Sequence, residues 1–188
     1  MPEGKRGAWL VERFSVSDAE ARFENLRAMI GSSARPIEPG IYTRLRCNGH
    51  TVMSDTPMEM HDQREIIRIA TGRVLIAGLG LGLTVGAVAD KIDVASVTVI
   101  ENAPDVVALV WPHYVARYDT GRICLIQADA TTWKPAKGQR WDTAWLDIWD
   151  DIRGDYAAPM RLLRWRYRRW ADWVGCWCYH EMQRAGRS

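Results

Sequence analysis

Short apolar runs alternate with amphipathic segments through the carboxyl-terminal two thirds of the chain. Five of these runs predict buried β-strands, at 74–77, 96–100, 123–126, 143–148 and 174–179. Helical patterns lie between most of the strands. The longest extends from Tyr156 to Trp173, and Pro112 should end or kink the helix that begins at Pro104. Because apolar strands separated by helices are typical of a parallel sheet covered on both faces, this region predicts an α/β fold.

The first third of the chain carries weaker signals. An S-x-x-E capping box opens an expected helix over 17–30, whose apolar side would consist of Ala19, Phe23, Leu26 and Ile30. An Asn-Gly pair within 41–53 is a strong hairpin signal, and a proline in the first turn favours a further helix over 56–71. We therefore divide the chain into a helix-and-hairpin extension, 1–57, and one domain, 58–188.

Composition narrows the function classes. The chain has 188 residues, of which 47% are hydrophobic and 26% charged, so it can bury one sizeable core and is not largely disordered. A net charge of +2 favours neither a nucleic-acid coat nor a membrane-surface protein. No apolar run is long enough to span a bilayer, and the first residues do not resemble a signal peptide. We expect a soluble, cytoplasmic protein.

Cysteine, histidine and carboxylate spacings do not indicate a metal centre. Cys176, Cys178 and His180 would share one face of the fifth predicted strand. We interpret them as packing residues, because a structural zinc site needs four closely placed ligands. Asp147, Asp150 and Asp151 could hold a magnesium ion, but no further ligand spacing supports such a site. No metal is predicted.

The sharpest motif is Gly78-Leu79-Gly80-Leu81-Gly82, directly after the first apolar strand. In an open α/β sheet this turn lies at the switch point where ligands bind, and missing Cβ atoms allow a ligand to approach the backbone. A dinucleotide fingerprint, G-x-G-x-x-G, would need glycine where Leu83 stands, so an NAD site is disfavoured. Taken alone, the motif also fits a turn that simply needs small residues.

Acidic residues end the next three predicted strands. Glu101, at the end of the second strand, could accept hydrogen bonds from both hydroxyls of a ribose. Asp129, beside Ala130 after the third strand, could accept from an adenine amino group, and Asp147 ends the fourth. Each alone is as well explained as a solvated carboxylate. Together with the glycine turn, they predict a nucleoside-binding site at the carboxyl edge of the sheet.

These segments resemble the core of class I S-adenosylmethionine (SAM)-dependent methyltransferases, and more narrowly its spermidine-synthase-like branch. The resemblance rests on VLIAGLGLGL at 74–83, VTVIENAPDVV at 97–107, RICLIQADA at 122–130 and WDTAWLDIWDD at 141–151. It implies a Rossmann-like three-layer sandwich, here ending after the fifth strand, with SAM as cofactor. The cofactor-binding residues would be Gly78, Gly80, Gly82, Glu101, Asp129 and Ala130.

The departures from that branch leave three functions open. Leu79 and Leu81 stand where the polyamine synthases carry glycine and aspartate, and the loop after the fourth predicted strand matches theirs only in part. Methyl transfer to a small molecule is the leading hypothesis, with Asp147 as substrate contact or base and Asp150 next. The alternatives are aminopropyl transfer and a non-catalytic module that binds a cofactor or a partner.

Partners other than a small molecule receive little support. The fourth predicted strand lacks the Asn/Asp-Pro-Pro-Tyr motif of amine-methylating nucleic-acid enzymes, and no Pro-Cys pair could serve cytosine methylation. The arginines of 161–169 are better explained as a solvated helix face than as a contact for an anionic partner. The fifth strand would lie at an open edge, where a second copy of the chain could pair and form a homodimer.

Overall fold

The computed structural model describes residues 1–30, 35–151 and 153–185. Two sheets organise the chain. The first is antiparallel and consists of β1 (Gly4–Arg6), β2 (Trp9–Val16), β3 (Gly40–Cys47) and β4 (His50–Ser54). The second is parallel and consists of β5 (Gly72–Ala77), β6 (Val94–Glu101), β7 (Ile123–Gln127), β8 (Trp141–Leu146) and β9 (Ala171–Cys176). The second sheet confirms the predicted α/β fold.

Helices flank the sheets and connect their strands. They are α1 (Asp18–Met29), α2 (Pro57–Asp62), α3 (Arg64–Ile69), α4 (Leu83–Ala89), α5 (Pro104–Val115), α6 (Ala157–Tyr167) and α7 (Tyr179–Ala185). A short 3-10 helix, Gly154–Tyr156, precedes α6. Pro112 lies inside α5, which continues to Val115 before it ends. Within the three described ranges, no helix is both long and apolar enough to cross a membrane.

The order of the parallel strands places a crevice at their carboxyl ends. The order is β7-β6-β5-β8-β9, so the chain moves outward from β5 to one side and then returns to build the other side. This reversal at β5 is the topological switch point of a Rossmann-like sheet, the place where such sheets bind ligands. The predicted glycine turn directly follows β5.

The parallel sheet is buried on both faces by alternate side chains of its strands. Val74 and Ile76 face one apolar cluster, together with buried residues of α3, α4 and α5. Leu75 and Ala77 face the second cluster, together with buried residues of α6 and α7. This alternation follows from the two-residue period of a strand and produces the expected three layers.

The antiparallel sheet is larger than the single predicted hairpin. The hairpin itself is confirmed: Asn48 and Gly49 form its turn with φ of 50° and 83°. The pattern did not reveal β2, because Glu12 and Arg13 interrupt its apolar positions; β2 pairs with β3 along its whole length. Val11 of β2 is fully buried in the same cluster as one face of the parallel sheet, so the two sheets share a core.

Three predicted elements differ in extent. The helix expected over 56–71 is two helices, interrupted at Gln63. The helix expected to reach Trp173 ends at Tyr167, because the neighbouring strand β9 already begins at Ala171. The prediction that Cys176, Cys178 and His180 share one face of a strand is therefore wrong. Cys178 lies in a turn after β9 with φ of 45°, and α7 begins one residue later.

The capping box at the start of α1 is confirmed, but its predicted apolar face is not buried. The Ser17 hydroxyl accepts a hydrogen bond from the backbone N–H of Glu20, and the Glu20 carboxylate accepts one from the backbone N–H of Ser17. Phe23 is nevertheless 60% exposed, and Leu26 and Ile30 are exposed too. The capping signal is local and therefore visible in the sequence, whereas burial of a face depends on which side of the helix the rest of the chain covers: Ala21 is buried, but Phe23, Leu26 and Ile30 are not.

Tryptophans cover the part of the second face where no helix connects β7 and β8. The chain contains ten tryptophans. The ring of Trp133, in the loop between these strands, contacts those of Trp141 and Trp170 at centroid distances of 5.9 and 6.3 Å. Arg166 of α6 donates to the backbone carbonyls of Thr131, Thr132 and Trp133. Aromatic packing and this guanidinium therefore replace a connecting helix.

Among the described residues, strand β9 pairs with β8 alone and so forms an edge of the parallel sheet, as expected. Part of that strand's backbone is already engaged, because the Arg164 guanidinium donates to the Val174 carbonyl at 3.1 Å. Pairing of this edge with a second copy of the chain stays a prediction.

Candidate functional site

A cavity of about 620 Å³ lies at the carboxyl ends of the parallel strands and is closed on one side by the antiparallel sheet. Trp9, Cys47 and Met53 contribute from that sheet. Of the residues predicted from the sequence, seven line this cavity: Gly78, Gly80, Glu101, Asp129, Ala130, Asp147 and Asp150. The tertiary structure therefore brings together residues that are up to 72 positions apart in the sequence (150 − 78 = 72).

The glycines of the turn are required by the protein's own packing. Gly78 has φ of 99°, and a Cβ there would lie 1.9 Å from the Asp147 carbonyl oxygen. Gly80 has φ of 52°, and a Cβ would lie 2.5 Å from the sulfur of Met53. Both conformations are in the left-handed region that glycine adopts without steric cost. The spaces freed by the missing side chains are thus filled by neighbouring protein atoms.

Gly82 is not among the residues that line the cavity. It has φ of 73° at the start of α4, and a Cβ would lie 2.2 Å from the ring of Tyr114. The Tyr114 hydroxyl donates to the Leu81 carbonyl at 2.9 Å. Gly82 therefore permits α5 to pack closely against the glycine turn. From the sequence alone, this packing role cannot be distinguished from contact with a ligand.

Glu101 is held by backbone N–H groups of the two turns that follow β5 and β6. Its carboxylate accepts from the backbone N–H of Leu79 at 2.8 Å and from that of Ala103 at 2.8 Å. The residue is only 9% exposed and lines the cavity. Since each carboxylate oxygen has two lone pairs, one acceptor position on each oxygen remains for a ligand hydroxyl.

Thr84, which the sequence did not single out, carries the clearest unmet hydrogen-bonding group. Its side chain is 5% exposed and lines the cavity from α4. Within the described residues, its hydroxyl is the single buried side-chain polar atom without a hydrogen-bond partner. Because an unpaired buried hydroxyl is costly, this group suits a polar ligand atom. The sequence did offer one signal for Thr84, because this residue stands two positions after Gly82, the last glycine of the motif.

Asp129 and Ala130 form the outer part of the cavity wall. The Asp129 carboxylate accepts from the backbone N–H of Thr131 at 2.8 Å and from its hydroxyl, so it stabilises its own turn. It is exposed and keeps lone pairs free. Ala130 is buried, and its carbonyl accepts from the Tyr167 hydroxyl at 2.8 Å. This hydrogen bond connects the cavity wall to α6.

Asp147 is the most perturbed carboxyl group of the cavity. Desolvation by burial raises the pKa of Asp147 from its usual 3.8 to about 7, opposed by a hydrogen bond from Gln63. The Gln63 side-chain amide donates to the Asp147 carboxylate at 2.9 Å. A carboxyl group that titrates near neutrality is suited to accept a proton from a bound substrate.

Glu59 of α2, also missed in the sequence, faces the same end of the cavity. Its carboxylate accepts from the backbone N–H of Ser54 at 2.7 Å and from the Ser54 hydroxyl at 2.9 Å. Desolvation by burial raises the pKa of Glu59, and its charge also contributes to the raised pKa of Asp147. Asp150 is exposed at the rim, where Tyr156 donates to it at 3.4 Å.

The lining is acidic and aromatic. Five carboxyl groups face the cavity, from Glu59, Glu101, Asp129, Asp147 and Asp150. Three tryptophans join them, Trp9, Trp149 and Trp177. None of the described lining residues is lysine, arginine or histidine. Such a cavity favours a positively charged ligand through Coulomb attraction and contact with aromatic faces. In the described ranges, no group of three or more His, Cys, Asp or Glu is placed to hold a metal ion.

No protein-family model matches the chain, and no curated protein sequence matches it. Solved structures resemble it at low identity. N-methyltransferase NodS from Bradyrhizobium japonicum WM9 is 16% identical with a TM-score of 0.48, over 62% of this chain and 64% of that one. A cyclopropane-fatty-acyl-phospholipid synthase-like protein from Lactobacillus casei ATCC 334 is 20% identical with a TM-score of 0.49, over 62% and 47%. Glycopeptide N-methyltransferase MtfA, complexed with SAM, is 22% identical with a TM-score of 0.42, over 57% and 47%.

This chain spans about half the length of several of these structures, 46% of NodS in its complex with S-adenosyl-L-homocysteine and 47% of MtfA. The similarity is one of fold.

Proposed function

We propose that the protein is a class I SAM-dependent methyltransferase whose methyl acceptor is a small, positively charged amine. One observation carries the proposal: the cavity at the switch point of the sheet is lined by five carboxyl groups and three tryptophans, without a lysine, arginine or histidine among its described residues. A sulfonium cofactor and a protonated amine are both cations, so this lining suits both.

The residues of the cavity fit a nucleoside-type cofactor. Glu101 keeps acceptor positions for two ribose hydroxyls, and Asp129 at the rim would accept from the adenine amino group. The unpaired hydroxyl of Thr84 would donate to a carboxylate of the methionine part, beside the backbone of Gly78 and Gly80. When bound, SAM supplies an activated methyl group on a sulfonium sulfur.

Asp147, whose backbone packs against Gly78, would receive the proton of the acceptor. An ammonium group has no lone pair with which to attack a methyl group, so it must first lose a proton. The Asp147 carboxyl, with its pKa raised to about 7, is charged in a substantial fraction of molecules at neutral pH and can accept that proton. Glu59 would hold the positive charge of the acceptor near Asp147.

Aminopropyl transfer is the second candidate, favoured by the absence of a cationic side chain among the described lining residues. SAM carries a carboxylate that would have to rely on neutral donors such as Thr84, whereas decarboxylated SAM has no such group. The acidic lining alone therefore attracts decarboxylated SAM at least as well.

The test is calorimetric titration of the protein with SAM, S-adenosyl-L-homocysteine and decarboxylated SAM, followed by incubation of the complex with a panel of small amines. Tighter binding of SAM and transfer of its methyl group support the proposal. Tighter binding of decarboxylated SAM favours aminopropyl transfer. Binding without transfer to any amine favours the non-catalytic module, and no binding of any nucleoside overturns the cofactor assignment.

A further inference from the structure

A buried hydrogen-bond chain leads from β8 to the carboxyl group of Asp147. The indole N–H of Trp145 donates to the Gln63 side-chain oxygen at 3.0 Å, and the Gln63 amide nitrogen donates to Asp147 at 2.9 Å. Gln63 is 2% exposed and lies at the interruption between α2 and α3. Trp145 and Asp147 are two residues apart on one strand and its continuation, so both face the same side of the sheet.

The chain has only one direction. The nitrogen of an indole can donate but cannot accept a hydrogen bond, so it selects the oxygen of the Gln63 amide. The amide nitrogen is thereby turned toward Asp147, to which it can only donate. Trp145 is itself held in place, since its ring stacks on that of Trp173 with a distance of 6.3 Å between the ring centroids and an interplanar angle of 4°.

We propose that Gln63, oriented by Trp145, is a positioning residue that aims the Asp147 carboxylate into the cavity and stabilises its charged form. This inference rests on the proposed function for its purpose, because a proton acceptor must be charged before it can act. The hydrogen-bond chain consists of protein groups alone, so it is testable independently of methyl transfer.

The surroundings of Asp147 make such a donor necessary. The titratable and charged groups that act on it or lie beside it are Glu59, Asp62, Asp150 and Cys176, with Arg35 near the first two. Among them, the negative charges of Glu59 and Asp62 raise the pKa of Asp147, as does burial. The Gln63 amide acts in the opposite direction and lowers the pKa of Asp147 most, and the Trp145 indole adds a smaller contribution in the same direction.

The experiment measures the titration of Asp147 directly, by the carboxyl carbon chemical shift in 13C-labelled, ligand-free protein, with Asp147→Asn identifying the signal. Gln63→Met removes the donor while keeping an unbranched side chain of similar size. Trp145→Phe removes the indole donor and lets the amide reverse. Trp141→Phe is the matched control: this buried indole, also in β8, belongs to the other apolar cluster and donates to the Thr98 hydroxyl at 3.1 Å.

We expect the midpoint of Asp147 to rise by about one pH unit or more in Gln63→Met, since a hydrogen bond to a charged group favours that form. Trp145→Phe should raise it by less, and Trp141→Phe should leave it unchanged. Should Gln63→Met fail to fold, as judged by its amide spectrum, Gln63→Leu takes its place, because the Trp145 indole also lowers the pKa of Asp147 directly and Trp145→Phe alone cannot separate the two effects. An unchanged midpoint in both folded test variants, or an equal shift in the control, overturns the proposal. The ligand-free titration cannot be affected by failure of the SAM assignment.

Discussion

Replacement of Glu101 by glutamine tests the cofactor site most directly. The wild-type carboxylate accepts from the backbone N–H of Leu79 and of Ala103, each at 2.8 Å. A glutamine side chain has one acceptor oxygen, so it can satisfy one of these donors while its own amide faces the other. One charge-assisted bond is lost and one largely buried N–H remains unpaired, which we expect to cost about 2 kcal/mol of unfolding free energy.

The effect on cofactor binding should be separable from this loss of stability. If the two remaining acceptor positions of Glu101 hold the ribose hydroxyls, the variant loses at least one hydrogen bond to a charged group. Such a bond contributes about 1.5–3 kcal/mol, which corresponds to a decrease in SAM affinity of roughly ten- to a hundred-fold. Stability is measured by urea unfolding and affinity by calorimetry, both on the folded variant.

Glu12→Gln provides the control for this experiment. Glu12 accepts from Arg44 and Arg46 on β3 and does not line the cavity. Its replacement should leave SAM affinity unchanged. Equal affinity of wild type and Glu101→Gln for SAM would refute the ribose assignment, even if stability falls as expected.

Three further predictions concern pH, packing and the loop after β7. Because the folded-state pKa of Asp147 is raised to about 7, ionisation of this carboxyl group opposes folding. The free energy of unfolding should therefore fall as pH rises from about 4 to about 7. Urea unfolding at several pH values should show this decrease in the wild type and a smaller one in Asp147→Asn. Gly82→Ala should lower the melting temperature more than Gly138→Ala, since both have positive φ but only Gly82 faces a ring, that of Tyr114; equal losses would contradict the packing role. Arg166→Met should speed amide exchange over 131–133, whose carbonyls it holds; unchanged exchange would contradict that anchoring.

Local and periodic signals explain what the sequence predicted well. The parallel strands are buried on both faces and appear as continuous apolar runs, so their existence was clear from Val74 onward. The turn at Asn48 and the cap at Ser17 are likewise set by residues within four positions of each other. Strand-end acids could be placed at one edge because the carboxyl ends of parallel strands coincide there.

Long-range contacts explain what it missed. Gln63 resembles any polar residue of an amphipathic helix, and only the folded chain brings it between Trp145 and Asp147, 82 and 84 positions away. Glu59 was missed for the same reason. Conversely, the exposed Phe23 of α1 shows that a helix pattern predicts an apolar side without predicting a neighbour to cover it.

The amino-acid sequence by itself determined the α/β class, the glycine turn and the acids at the strand ends, because strand period, turn conformation and capping depend on neighbours along the chain. Only the tertiary structure decided how those acids behave. Burial beside Glu59 and Asp62 raises the pKa of Asp147 to about 7. Two backbone donors hold Glu101 in place, and Thr84 is left with an unpaired hydroxyl. Desolvation and hydrogen bonding between distant segments exist only once the chain has folded, and these effects make the cavity a candidate active site.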